Sequence, residues 1–192
     1  MLCADFMEIL HTQRLILLPL TEADATDLFR ARGDAEVMEF WDGPPDVTPS
    51  ETTAIVDTLL SDVRSGAAKY WTIRLLHDGS FAGVCDLSEI QNRESAEIGF
   101  MFLRMFWSMG FANEIVGCLL DYAKSLGLKR VTARIHAGNI RSQRLLQRTG
   151  FRLVQLLSKY EIRPGVFRDC LRFEATLWEL SHMSDRAQTE VW

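Results

Sequence analysis

Between Trp107 and Asn113 the chain reads Trp-Ser-Met-Gly-Phe-Ala-Asn, a glycine turn that opens directly into a helix. On that helix Ile115, Val116, Leu119, Leu120, Ala123 and Leu126 make one apolar stripe, stopped by Gly127. The first N–H groups of a helix have no acceptor within it, and the helix dipole favours negative charge there. Small residues at such an end let an anion approach the backbone, and the natural guest is a phosphate or pyrophosphate. Many strand-to-helix corners use glycine and alanine for packing alone, so the turn needs company. It comes downstream, where Asn139, Ser142, Gly150 and Phe151 stand at offsets of 0, 3, 11 and 12. Asn139 reads as the cap of a short helix that ends at Gly150.

These residues must be held by strands. Ser95 to Leu103 reads as one, with Ile98, Phe100 and Phe102 on one face and Glu97, Gly99 and Met101 on the other. Val131 to Ile135 alternates as the next. Upstream, Arg14 to Leu20 is a strand, Thr21 and Asp24 have the spacing of a helix start, and Ala35 to Phe40 is a second short helix. Thr48-Pro49-Ser50-Glu51 is a full helix-start signature, and that helix stops at Gly66. Tyr70 to Leu76 and Phe81 to Leu87 form a hairpin around His77-Asp-Gly-Ser80. Two more strands, about 151–162 and 167–178, are joined around Arg163-Pro-Gly165. The expectation is one α/β domain with a mixed central sheet of about seven strands, over residues 8–178, followed by a polar tail over 179–192.

Taken with Ala-Glu-Ile-Gly at Ala96–Gly99, the Gly110-Phe-Ala112 turn and the Asn139 pattern resemble the GNAT superfamily of acyl-CoA-dependent N-acetyltransferases. The opening Thr12-Gln-Arg-Leu-Ile-Leu-Leu-Pro-Leu-Thr-Glu-Ala-Asp24 is similar to its RimJ/RimL branch, which includes enzymes acetylating protein N-termini. The resemblance covers roughly residues 8–178. It implies helices on both faces of the sheet and a splay between the fourth and fifth strands, here Ser95–Leu103 and Val131–Ile135, with acetyl-CoA as co-substrate in the gap. Backbone groups of Met101, Phe102 and Leu103 would pair with the pantetheine arm, and the N–H groups of Ser108, Met109, Gly110, Phe111, Ala112 and Asn113 would hold the pyrophosphate. Asn139 would orient the arm. Ser142 matches a serine that relatives place near the sulfur. Two positions depart from the pattern: Ser108 stands where the family usually has glycine, and Met109 replaces a residue that is often basic. Arg104 and Arg141 are the cations considered as substitutes. Leu146 occupies the position of a tyrosine found in many members, and has no proton to give.

Composition narrows the rest. At 192 residues with 47% hydrophobic residues, the chain suits one domain with a substantial core. No apolar run approaches a membrane span, and Asp5 and Glu8 interrupt any secretory layout. Cys3, Cys85, Cys118 and Cys170 are widely spaced, the four histidines never stand at ligand spacing, and no metal is expected. The formal charge of −5 argues against nucleic acid as the partner. The expected setting is cytoplasmic, without membrane contact, and a homodimer is left open.

Amine acetylation needs a base, because an ammonium ion has no lone pair. Glu97 lies beside the expected gap among apolar residues, where partial desolvation would raise its pKa; the alternative is an exposed or paired structural carboxylate. Glu161 is the second candidate, aligned with a glutamate that some RimL-like enzymes are thought to use. Ser142 is considered for the leaving thiolate, though a serine there is more often a local cap. The loop Phe40-Trp41-Asp42 and the turn Arg163 to Arg168 should wall the pocket of the acceptor, a small-molecule amine or a peptide N-terminus; Trp41 would alternatively pack on the core. The competing class is a non-catalytic acyl-CoA-binding module.

Overall fold

The computed structural model describes residues 8–91 and 94–177, so the polar tail expected over 179–192 lies outside the described residues. Its strands are β1 (Leu10–His11), β2 (Leu15–Pro19), β3 (Lys69–Leu75), β4 (Phe81–Gln91), β5 (Ser95–Phe102), β6 (Arg130–His136), β7 (Arg152–Arg163) and β8 (Val166–Thr176). Its helices are α1 (Ala25–Arg32), α2 (Ala35–Met38), α3 (Pro49–Ser65), α4 (Phe111–Ser125) and α5 (Ile140–Arg148). One mixed sheet of eight strands runs β1-β2-β3-β4-β5-β6-β8-β7. The strand beyond the expected seven is β1, two residues paired with Ile16 and Leu17 and too short to show a period.

Local chemistry sets the boundaries. Asp24 accepts from both the N–H and the hydroxyl of Thr21, at 2.8 and 2.7 Å, so a shorter carboxylate serves where glutamate is usual. Helix α3 starts at Pro49 and ends at Gly66, which takes a left-handed φ of 77°. Helix α2 stops at Met38, two residues before the expected end. Ile115, Val116, Leu119, Leu120 and Ala123 of α4 pack on one face of the sheet with Ile98, Phe102, Val131 and Phe173, joined by Leu145 and Leu146 of α5. Leu126 falls after the helix and is exposed. On the other face, Leu28 of α1 and Val56 of α3 pack toward Val84, and Val37 and Met38 join Met101 and Leu103.

The feature that matters for chemistry is a parting of two strands. β5 and β6 are parallel and paired at Ser95↔Arg130, Ala96↔Val131 and Glu97↔Thr132, and nowhere further. Beyond that point β5 stays with β4 as far as Gly83↔Phe102, while β6 stays with β8 to His136↔Cys170. Each strand keeps its antiparallel neighbour and gives up the parallel one, which is the weaker pairing per residue. Glu97 stands at the vertex of the resulting gap.

Candidate active site

Strand phase decides which backbone groups enter the gap. Leu103 donates its N–H to Ala82 at 2.9 Å, toward β4 and away from β6. In an antiparallel ladder alternate residues share a direction, so Met101 also turns to β4, while Phe100 and Phe102 face the gap. This corrects the expected set: of Met101, Phe102 and Leu103, only Phe102 directs its backbone inward, and Phe100 joins it. The Phe102 carbonyl is itself engaged, accepting from Trp107 Nε1 at 3.1 Å.

At the open end lies the turn. Ser108 has φ 63° and Gly110 has φ 81°, so two residues of the turn are left-handed and one of them is not glycine. The serine departure is therefore a real strain, since a Cβ crowds the backbone in that region. Gly110 caps α4, and the N–H groups of Phe111 and Ala112 start the helix without intrahelical acceptors. The cation absent at Met109 comes from elsewhere. Arg14, in the bend just before β2, donates from Nη2 to the Met109 carbonyl at 3.0 Å, lies 4.5 Å over the Phe111 ring, and pairs with Glu114. Neither cation considered from sequence fills that role in the same way. Arg104 is paired with Glu36 and Asp34, and Arg141 lies 5.4 Å over Trp107. Arg14 was visible in the sequence, but only strand pairing brings it to a turn nearly a hundred residues away.

Across the gap, Asn139 caps α5 by accepting from the Ser142 N–H at 3.1 Å. The Ser142 hydroxyl makes no hydrogen bond among the described residues. Leu146 is fully buried in the core, consistent with a residue that takes no part in proton transfer.

The face of the sheet opposite α4 carries the charge. Glu97 is largely buried, and burial pushes its pKa up, opposed by the guanidinium of Arg134 whose Nε lies 3.9 Å away. Asp86 of β4, which no motif in the sequence singles out, pairs in register with Gly99. Burial, with the charge of Glu97 added, raises its pKa to about 7. Gly99 makes the room: a Cβ there would meet Asp86 Oδ1 at 2.4 Å. The available signal was a lone acid inside the apolar run Phe81 to Leu87.

Asp42 is not a free anion waiting for an amine. Burial alone would raise its pKa, but hydrogen bonds from His136 and Arg134 overcome that and lower it to about 2. It holds Arg134 Nη2 at 2.9 Å and His136 Nε2 at 3.2 Å. Phe40 meets the His136 ring edge-on, and Trp41 packs beside Met101 and Leu103. Arg163 donates to the Asp42 carbonyl at 2.8 Å, so the two segments expected to wall a pocket touch each other. Glu161 is placed differently from Glu97: it is exposed near the hairpin end of β7 and accepts from the Gly165 N–H at 2.9 Å.

This architecture, with strands parted at an acid and a glycine turn at a helix end, is that of an acyltransferase. Residues 14–152 match the family model described as an acetyltransferase (GNAT) domain, and the chain belongs to that family. It is 31% identical over 169 residues to the uncharacterized N-acetyltransferase p20 of Bacillus licheniformis, covering 87% of this chain and 95% of that one. The fold is shared with a RimL ribosomal L7/L12 alpha-N-protein acetyltransferase in complex with coenzyme A, at TM-score 0.78 and 22% identity over 88% of this chain and 98% of that one. It is also shared with a spermidine N-acetyltransferase from Vibrio cholerae in complex with CoA and spermine, at TM-score 0.76 and 19% identity over 87% and 98%. Among the described residues no helix is long and apolar enough to cross a membrane, and no group of His, Cys, Asp and Glu could hold a metal ion.

Proposed function

We propose that the chain moves an acetyl group from acetyl-CoA directly to a primary amine, with both held at once in the gap between β5 and β6. The observation that carries this reading is Glu97, a buried carboxylate at the vertex where the two strands part. An amine with a pKa of roughly 8 to 10 must lose a proton before it attacks, and a carboxylate made more basic by burial suits the task. Acetyl-CoA supplies the activated acyl group. Backbone groups of Phe100 and Phe102 line its arm, and the turn from Ser108 to Asn113, with Arg14 beside it, takes the pyrophosphate. Asn139 holds the first turn of α5 in place, and the Ser142 hydroxyl is the donor available to the leaving thiolate. Phe40, Trp41 and Asp42, with the Arg163–Arg168 turn, wall the acceptor side.

Direct transfer fits the thiols. Burial raises the pKa of Cys85, Cys118 and Cys170, which leaves them poor nucleophiles at neutral pH. The named acceptors of the two structural neighbours, a polyamine and a protein N-terminus, are both amines and support the substrate class. Glu161, engaged with its own turn, is the weaker candidate for base. The deciding experiment is mass spectrometry of purified protein with acetyl-CoA and a broad panel of amines. An acetylated product is expected. Tight CoA binding with no product across the panel would instead identify a binding module.

A further inference from the structure

Register sorts the acceptor face into rows. Glu97, Thr132 and Glu174 stand side by side in one row, at the vertex of the gap. The next row, where the strands have parted, runs Tyr70, Asp86 and Gly99 on one side and Arg134 and Arg172 on the other. A carboxyl group and a pair of guanidinium groups therefore flank the gap, with a glycine leaving the space between them open.

The arginine pair is the anomaly. Arg134 and Arg172 are directly opposite each other on β6 and β8, and like charges in that position repel unless an anion compensates them. Arg134 has its anion in Asp42, which is fully spent on Arg134 and His136. Arg172 has none. Its Nε is buried and makes no hydrogen bond, and no ion pair joins it to a carboxylate among the described residues. Glu97 feels Arg172 only as a charge through space, and Glu174 stands in the neighbouring row opposite Thr132 and Arg152. Native proteins rarely leave a buried guanidinium donor unmade, because it forfeits its hydration and gains nothing in return. A donor of this kind, beside a cleft that receives a substrate, marks where an anionic part of that substrate belongs.

We propose that the acceptor is a small zwitterion, a primary amine that also carries a carboxylate as a free amino acid does, its carboxylate seated on Arg172 and its amine directed to Glu97 and Asp86. This rests on the assignment of the β5–β6 gap as the site of amine acetylation. A diamine would bring a second positive charge against the arginine pair, and a peptide N-terminus has an amide where the carboxylate should be. Both are poorer guests.

The test is calorimetric titration of the protein, saturated with CoA, with free amino acids, their C-terminal amides and α,ω-diamines, on wild type, Arg172→Gln and Arg172→Lys. The best-bound amino acid is expected to bind wild type at least about tenfold more tightly than its own amide. That preference should collapse in Arg172→Gln and recover in part in Arg172→Lys. Equal affinity for acid and amide, tighter binding of a diamine, a preference that survives Arg172→Gln, or no binding by any compound would each overturn the proposal. Should Arg172→Gln fail to fold by circular dichroism, the acid-to-amide ratio on wild type decides alone. The same panel with acetyl-CoA separates the two readings. Acid-selective binding without an acetylated product keeps the zwitterion site and removes the transferase assignment. Acetylation indifferent to the carboxylate does the reverse.

Discussion

The two ends of the β5–β6 gap are built from different materials. The end at α4 is backbone: two left-handed residues, Ser108 and Gly110, and a helix start with N–H groups to spare, with one borrowed cation, Arg14. The acceptor end is side chain: Glu97, Asp86, Asp42, Arg134, His136 and Arg172, drawn from four strands and a loop. A backbone site needs only a local conformation, so it tolerates exchange of most side chains around it. A charged side-chain network depends on every partner, because one removed member leaves another buried and unpaired. The first end should fail when its conformation or sign is broken, and the second when its protons are.

The sharpest break at the backbone end is Gly110→Asp. It puts a negative charge at an anion site, and its Cβ would stand 3.3 Å from Arg14 Nη2. Acetyl-CoA affinity should fall by at least about 100-fold with the helical circular dichroism retained. Unchanged affinity in a folded variant would remove the phosphate role from this turn. At the other end, Glu97→Gln should lower kcat by about 100-fold or more while acetyl-CoA affinity holds. Glu161→Gln should stay within about twofold of wild type on the same substrate, and the opposite ranking would transfer the role of base to Glu161.

Proton linkage sharpens the contrast within the acceptor end. The Asp86 pKa is raised in the folded protein, from 3.8 to about 7, so the folded state binds a proton that the unfolded chain releases. Its contribution favours folding at low pH and is lost as pH climbs from about 4 through about 7, a change on the order of 4 kcal/mol. Asp42 has the opposite sign. Its pKa is lowered to about 2, so its contribution is present above about pH 4 and lost as pH falls toward 2. Because its side chain is 38% exposed, solvent screening holds that contribution to about 1 kcal/mol. Urea unfolding across pH should show Asp86→Asn without the decline toward neutrality and Asp42→Asn without the acid loss. A wild-type slope between pH 4 and 7 retained in Asp86→Asn would assign that proton to another group.

The smallest expected effect returns to the turn. Ser108→Gly relieves a left-handed φ and should gain up to about 1 kcal/mol of stability with about two- to threefold tighter acetyl-CoA binding. Looser binding would mean that the serine hydroxyl makes a contact worth more than the strain it costs.

What could be read from the chain in advance follows the same division. The turn at Gly110, the cap at Asn139 and the apolar stripe of α4 are local patterns, set by neighbours a few residues apart. The order of strands and helices, and Glu97 as the acid beside the gap, came with them. At the site, what was not legible depended on which strands pair and in what register. Whether Leu103 or Phe100 turns its backbone to the gap depends on the phase of pairing with β4, and one residue of slip reverses it. Asp86 is one acid in an apolar run until Gly99 is laid opposite, and Arg14 is one arginine ahead of a strand until the placing of β2 in the sheet brings it to Met109. The sequence by itself determined the elements, their order and the family, because helix periods, caps and glycine turns are short-range properties of the chain. Only the tertiary structure decided which charges meet. Asp42 meets Arg134 from a loop 92 residues away, Asp86 feels the charge of Glu97 only across the β4–β5 pair, and Arg172 is left without a carboxylate by the pairing of β6 with β8; burial that shifts a pKa exists only once these elements are packed.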